Sequence, residues 1–557
     1  MVDGTASVSG GIGVDAPAPQ LPAGETRRIP HARLAVPAAL ALAAVVLFLC
    51  YLRLSSTTVL NSDGADQALQ AWDMLHGNWL LHGWTLGDVS YYTTEVPEYM
   101  VVEIIRGLGP GVLNVAAAVT YTLLVLLAGW LAKGRATGKE GVLRALIASG
   151  ILLAPQLGDG AQLLLSQPDH LGTQVPLLVI FVVLDRAPRR WYTPAAIGVM
   201  LTWVMIADQV AILDAALPLV AVGGLRACRA FVRDRKPLAS QWFELSLVAA
   251  GIVSFGVSQL VVLAIKHAGG FAALPLSSQV AAMGDMPSHL KLTADGILTL
   301  YGAHFQGLSP AVAAAFAVVH LTGVALALWA FGRALRRFFS ASDLIVPVIA
   351  AGIIFNLAAY TPSLKVATWF STREIVAVLP LGAVLAGRLL AGPLTARWLR
   401  PVLAGVLACY VIALGYGAAQ PPIADPEQPV VGWLEAHHLT TGLGTYVQGN
   451  LTTLESGGRV AVRAVTWWPT GAVPRGYESV ASWYSPRLSY ANFVLMKNRS
   501  DGALAHRASI IPYQEILALA GRPVRTYHYE TYTIMVWNHN LLADLGGPPS
   551  VLPGRLG

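Results

Sequence analysis

About eleven mostly apolar runs alternate with polar stretches along this chain, near residues 33–54, 112–132, 142–157, 171–185, 192–207, 209–227, 242–265, 310–332, 343–360, 375–392 and 400–418. A helix needs about 20 consecutive apolar residues to cross a bilayer. The pattern therefore predicts an α-helical polytopic membrane protein with about eleven transmembrane helices. The runs near 142–157 and 171–185 are short, and the break around Asp208 is weak.

Three stretches between or after the runs are long enough to fold outside the membrane. In the first, about 55–111, the order of Ala65, Ala68, Leu69, Trp72 and Leu75 predicts one amphipathic helix. Asp63 is its expected N-cap and Gly77 its expected end. Pro97 is expected to open a second helix, with Val101, Ile104, Ile105 and Leu108 apolar. Two short amphipathic helices beside a span suit the bilayer surface. Trp79, Trp84, Tyr91 and Tyr92 between them fit an aromatic belt. The second stretch, about 266–309, carries scattered His, Asp and Lys residues. The third, 419–557, alternates in another way. "VVGWLEAHHL" and "PYQEILALAG" read as helices, while "GRVAVRAV", "NFVLMKN" and "YTIMVWN" read as strands. This predicts a C-terminal α/β domain held outside the membrane. The expected organisation is a disordered tail over 1–32, a transmembrane domain over 33–418, and the α/β domain over 419–557.

Composition agrees with lipid as the main solvent. Only 12% of the 557 residues are charged, against roughly 25% in soluble domains. No cleavable signal peptide is evident, and Cys50, Cys228 and Cys409 have no metal-ligand or CxxC spacing. Net charge is +6, but its distribution reads as topology and leaves no nucleic-acid footprint. Basic clusters precede the first run (Arg27, Arg28, Arg33) and follow the second, fourth, sixth, eighth and tenth. The intervening loops are acidic, aromatic or His-containing. The N-terminus is therefore expected in the cytoplasm and the C-terminal domain outside, with the chain in the plasma membrane.

Against that background a few charged residues stand out. Asp63 and Asp66, three apart at a helix start, can share a face. They read either as a cap with a first-turn acid or as a general base or ion ligand at the membrane surface. Asp169 and His170, in "QPDHLGTQVP", fall at the same membrane level, as a capped turn or as part of the same site. Lys365 and Arg373, in "YTPSLKVATWFSTREIVAVLP", put positive charge on an otherwise non-basic face. They read as snorkelling side chains or as partners of an anion, for which a lipid phosphate is one candidate. Nucleotide-binding loops of the GxGxxG or GKS/T type are absent.

The order span, "SDGADQALQAWDMLHGN", aromatic stretch, "TTEVPEYMVVEIIRGLGPG", second span resembles the GT-C superfamily of polytopic glycosyltransferases. The likeness is to the branch of the protein O-mannosyltransferases and aminoarabinose transferases. Asp63 stands on the family's leading aspartate, "MLHGN" on the end of its surface helix, and "EVPEYMVVE" in place of its proline stretch. "WFSTREIVAVLPLGAVLAGR" resembles the late "RYLLPxxP" span, with Arg373 on its arginine and Pro380 on its proline. Two departures are visible: Gly64 stands where the family usually has a second acid, and the lysine of its Lys-Pro-Pro stretch is missing.

The resemblance implies an inverting transfer of a sugar from a polyprenyl-phosphate donor to an extracytoplasmic glycan, lipid or protein. Asp63 or Asp66 would be the base, and Arg373 and Lys365 would bind the donor phosphate. Asp169, His170, His82 and Glu95 complete the candidate set as substrate-binding residues. No cofactor is expected, and a divalent metal is left open. A transporter, or a scaffold working through its C-terminal domain, is the alternative. Repeat halves of the transporter kind are not visible in the sequence. For topology, a cysteine placed at Gly502 is expected to react with an impermeant thiol reagent in intact cells. Labelling only after lysis would overturn the orientation.

Overall fold

The computed structural model describes residues 31–275, 279–305, 311–339, 343–396, 399–425, 427–468, 471–497 and 513–546. Gly502 lies outside the described set. The chain divides into two compact units, Met1–Val45 and Val46–Gly557, and the candidate site is built by the second.

All eleven apolar runs are helical. They correspond to α1 (His31–Ser55), α4 (Gly111–Lys133), α5 (Gly138–Leu152), α7 (Asp169–Arg186), α8 (Tyr192–Ala207), α9 (Leu217–Val232), α10 (Trp242–His267), α12 (Ala311–Arg336), α13 (Ile345–Tyr360), α14 (Val378–Leu390) and α15 (Leu399–Ala418). Six helical segments among the described residues are long and apolar enough to cross a membrane, and α8, α13 and α14 are shorter apolar helices. The protein is multi-pass. The other two of the eleven runs, α5 and α7, fall short for local reasons. α5 has only 15 residues, while α7 opens on the polar "DHLGTQ" and contains Pro176. The run at 209–227 begins with a π-turn, Ile212–Ala216, that carries the buried Asp214. Its carboxylate accepts hydrogen bonds from Gln174 Nε2 and Asn356 Nδ2, both at 2.8 Å. A π-turn inside a helix shifts the register by one residue, and here it aims an acid at two amides.

The first loop supplies α2 (Ser62–Leu75) and α3 (Glu95–Arg106). α2 buries Ala65, Ala68, Leu69, Ala71 and Met74, so most of the expected face is the packed one. Its N-cap differs from expectation. Asn61 has the extended backbone of a cap, and its side chain accepts from the Asp63 backbone N–H at 3.0 Å. Asp63 lies inside the first turn, and its carboxylate is not used for capping. α3 starts two residues before Pro97, with Pro97 still in the first turn, where a missing N–H breaks no helical bond. Val101, Ile104 and Ile105 on α3 are 59%, 70% and 78% exposed. That apolar stripe is the surface an interfacial helix offers to lipid.

The expected C-terminal helices and strands form. α16 (Gln428–Ala436), α17 (Tyr446–Glu455) and α18 (Tyr513–Ala520) accompany a six-stranded mixed sheet. Its order is β5 (Gly471–Pro474), β4 (Ala461–Trp468), β3 (Thr441–Gly444), β7 (Phe493–Lys497), β9 (Tyr532–Val536), β8 (Arg525–Tyr529). β3 runs parallel to both its neighbours, and the other pairs are antiparallel.

A second, three-stranded sheet ties distant regions together. β1 (Trp84–Leu86) of the first loop pairs with β2 (Ala272–Ala273) of the second loop and with β6 (Ser479–Val480) of the C-terminal region. Leu451, Leu454 and Val480 join the same apolar cluster as Ala65, Ala68 and Leu69, which fixes the C-terminal region on α2. Because Asn61 caps α2, Asn61→Ala is expected to destabilise the folded protein by about 1 kcal/mol, and Asn61→Asp to be nearly neutral. Thermal unfolding of the detergent-solubilised chain checks this. Equal losses for the two variants would remove the cap.

Candidate active site

The two sequence motifs farthest apart meet. Arg373 lies in a short 3₁₀ segment, Trp369–Ile375, that leads into α14. Its Nη1 donates to Asp63 Oδ2 at 2.6 Å and to Asp169 Oδ2 at 3.2 Å. Residues 310 apart in the chain therefore share one ion pair. Asp63 Oδ1 accepts from the Tyr446 hydroxyl at 2.9 Å, at the start of α17. Asp169 accepts from the Tyr91 hydroxyl and from Gln167 Nε2 at 3.1 Å.

His170 is buried beside this pair. Its Nδ1 lies 2.8 Å from Asp208 Oδ2 and its Nε2 3.6 Å from Glu374 Oε2. Glu374 also lies 3.2 Å from Lys365 Nζ, which in turn reaches Asp88 at 3.0 Å. Burial alone would push the Glu374 carboxyl up. His170, Lys365 and Arg373 outweigh it and hold it far below the usual range. Lys365 stays charged because Glu374 and Asp88 oppose the effect of its burial.

The two leading acids have different surroundings. The Asp63 side chain is 25% exposed and paired. Asp66 is buried, with Gln70 Nε2 donating to its Oδ2 at 2.6 Å. Burial, and then the nearby Glu478 carboxylate, push the Asp66 carboxyl well above its ordinary value. Burial also raises Glu478, against the pull of Arg475, whose Nη2 lies 2.7 Å away. Arg475 itself stacks on the Tyr446 ring, with Cζ 3.6 Å from the centroid. One carboxylate is thus ion-paired and reachable, while the second is buried with its carboxyl pushed up, a contrast of environments that acid–base sites use.

Asp63, Asp66, Asp169, His170 and Arg373 line a single pocket, together with Gln67, Gln70, Asp88, Tyr91, Glu374 and Glu478. Lys365 stands behind Glu374 and Asp88. Glu95 lies one layer deeper, accepting from Thr94 and from Thr173 Oγ1 at 3.2 Å. The structure does not bring His82 to this pocket. It is exposed, with Nδ1 2.7 Å from the Gly269 carbonyl oxygen. Among the described residues no group of three His, Cys, Asp or Glu is arranged to hold a metal ion.

Gly64 also has its reason. A Cβ there would meet Gln167 Oε1 at 2.5 Å and Leu113 Cδ2 at 3.0 Å. A side chain at that position requires Gln167 to move, and the next acid of α2 to line the pocket is Asp66, two residues on. Sequence reasoning did not single out Tyr91, Glu374, Tyr446, Arg475 or Glu478 as site residues. Glu374 was signalled only by standing next to Arg373. Nothing local marks Tyr446 or Glu478.

No protein-family model and no curated protein matches the chain. Among solved structures, ArnT from Cupriavidus metallidurans in the apo state is similar at 14% identity and TM-score 0.48, over 92% of this chain and 100% of that one. The same protein bound to undecaprenyl phosphate is similar at 12% identity and TM-score 0.48, over 92% and 99%. The Archaeoglobus fulgidus oligosaccharyltransferase, in complex with Zn and sulfate, is similar at 14% identity and TM-score 0.47, over 82% and 67%. Likenesses this distant assign no residue role and no activity here.

The raised Asp66 carboxyl has a consequence for stability. It holds its proton in the fold but loses it near pH 4 in the unfolded chain. Between those two values the folded state binds more protons, so stability falls as pH rises through that window. Asp66→Asn cannot ionise. The difference in melting temperature between variant and wild type is expected to move in the variant's favour from about pH 5 to about pH 8. Parallel profiles would show Asp66 ionised in the fold.

Proposed function

We propose that this chain is a membrane glycosyltransferase that moves a sugar from a polyprenyl-phosphate carrier to an acceptor hydroxyl on the extracytoplasmic side. One observation carries the reading. Asp63 and Arg373, the two residues on which the GT-C resemblance rests, meet at 2.6 Å from opposite ends of the transmembrane region. A capping acid and a snorkelling arginine have no reason to converge. A base and the cation for its leaving group do.

The chemistry follows from the arrangement. Asp63 takes the proton of the acceptor hydroxyl. The freed oxygen bonds to the anomeric carbon as the bond from that carbon to the phosphate oxygen breaks. The electron pair of the broken bond stays on the polyprenyl phosphate, where Arg373 meets the charge, with Lys365 behind it. A single displacement of this kind inverts the anomeric centre. Arg373 now bridges Asp63 and Asp169. An arriving phosphate competes for the guanidinium and loosens its hold on Asp63, so donor binding itself readies the base. The donor's tail requires lipid beside the pocket, which the exposed stripe of α3 fits. The acceptor can be glycan, lipid or protein.

The test is transfer from a labelled polyprenyl-phosphate sugar by the purified full chain in liposomes. Asp63→Asn is expected to lower turnover on the order of a hundredfold or more with donor binding retained. Arg373→Ala is expected to weaken donor binding roughly ten- to a hundredfold. Loss of turnover in Asp66→Asn but not in Asp63→Asn moves the base by one helical turn. Full activity in both, or flux of the labelled lipid without transfer, would sink the proposal.

A further inference from the structure

A second cleft opens on a different face of α2, between that helix and strand β4. Its volume is about 340 Å³, within the roughly 300–1,000 Å³ of small-molecule sites. Three tryptophans line it: Trp72 from α2, Trp84 from β1 and Trp483 from the turn after β6. Arg463 of β4 enters between them, with its Cζ 3.9 Å from the centroid of the Trp483 ring. Among the described residues no carboxylate pairs with Arg463 and its side chain donates no hydrogen bond. Burial, with only Tyr484 opposing it, pushes the guanidinium down to about 10. The other charged residue in the cleft, Asp73, is already engaged. Its Oδ2 accepts from Trp84 Nε1 and Asn78 Nδ2, both at 2.7 Å.

A half-buried guanidinium that rests on an indole face and has no carboxylate beside it is placed to meet an anion entering the cleft. Its planar fork matches a carboxylate or phosphoryl group bidentately. Trp84 is buried edge-on against Trp483, and the partly exposed indole of Trp72 on the opposite wall suits the apolar face of a sugar ring, while Asp73 Oδ1 can accept from a sugar hydroxyl. Both walls have to be present, because one comes from the first loop and the other from the C-terminal region. From this combination we infer that the cleft formed by Trp72, Asp73, Trp483 and Arg463 is a binding site for an anionic sugar residue. The inference goes beyond the transfer reaction proposed above, and its readout is binding alone, so the two can fail separately.

The experiment is ligand-observed NMR and calorimetry on the full chain in nanodiscs, with galacturonic acid, glucose 6-phosphate and glucose as probes. Saturable binding is expected for at least one anionic probe, with glucose about tenfold weaker or undetectable. Binding of galacturonic acid alone assigns the group as a carboxylate, and of glucose 6-phosphate alone as a phosphoryl group. Arg463→Gln is expected to weaken the anionic probe about tenfold or more, and Trp72→Ala to weaken it from the opposite wall. Arg459→Gln, at a 68% exposed arginine paired with Glu435, should leave binding unchanged. If Arg463→Gln does not fold, Trp72→Ala and the comparison of probes on the wild type still decide. Equal binding of glucose and the anionic probes would overturn the inference. So would no binding of any probe, or anionic binding unchanged in Arg463→Gln or Trp72→Ala.

Discussion

One guanidinium organises the candidate site of this protein. Arg373 sits between Asp63, from the first loop, and Asp169, from the start of α7. Asp169 is 7% exposed, and a carboxylate that deep needs a cation or a proton. The pair therefore constrains three segments at once, because each has to bring its charge to the same point. The neighbouring charges follow the same rule. Glu374 meets His170 and Lys365, His170 meets Asp208, and Lys365 meets Asp88. Removing one member leaves a buried charge without its partner, which costs more than forming the pair contributes. The network is thus a strong constraint on geometry even where its net contribution to stability is small.

The C-terminal region completes this arrangement. Its Tyr446 hydroxyl donates to Asp63, and its Glu478 faces Asp66. Two features set that position. β6 pairs with β1 of the first loop, and Leu451 and Leu454 of α17 join the apolar cluster of α2. Edge pairing fixes direction and register, while apolar burial supplies most of the favourable free energy. The Asp66 carboxyl is therefore raised first by its burial and then by a residue more than 400 positions away. A domain that only hung outside the membrane would not need either device.

What was legible in the sequence is what has a local period or a local chemical oddity. The apolar runs, the two loop helices and the main C-terminal strands follow from periodicity. Arg373 was visible because the charge pattern leads one to expect no positive charge on that face. Asp63 was visible because carboxylates crowd a span end, and the resemblance singled it out. The N-cap was misread because Asn61 and Asp63 are both good caps. Only the extended backbone at Asn61 decides between them. Tyr446, Arg475 and Glu478 were not legible, since a contact across the chain leaves no trace in the residues around it. The same holds for the pairing of His170 with Asp208, where both residues were noticed and their meeting was not.

The backbone adds a last constraint. Three residues that line the pocket, Tyr91, Asp169 and Glu478, have φ of +51°, +44° and +53°. Side-chain-bearing residues seldom adopt that region, and each instance costs on the order of 1–3 kcal/mol. Aspartate visits this region more readily than most residues, whereas Tyr91 and Glu478 have no such local preference. The surrounding contacts impose them: Tyr91 bonds Asp169, Asp169 bonds Arg373, and Glu478 bonds Arg475. Each strained residue holds a polar group at the pocket wall through one of these bonds. The strain and the ion pairs are then two sides of one arrangement. The charges fix where the side chains must be, and the backbone takes the conformation that delivers them there. A relaxed backbone at Asp169 would swing its carboxylate away from Arg373, leaving Asp63 alone to hold the guanidinium. Arg373 lies closer to Asp63, at 2.6 Å, than to Asp169, at 3.2 Å.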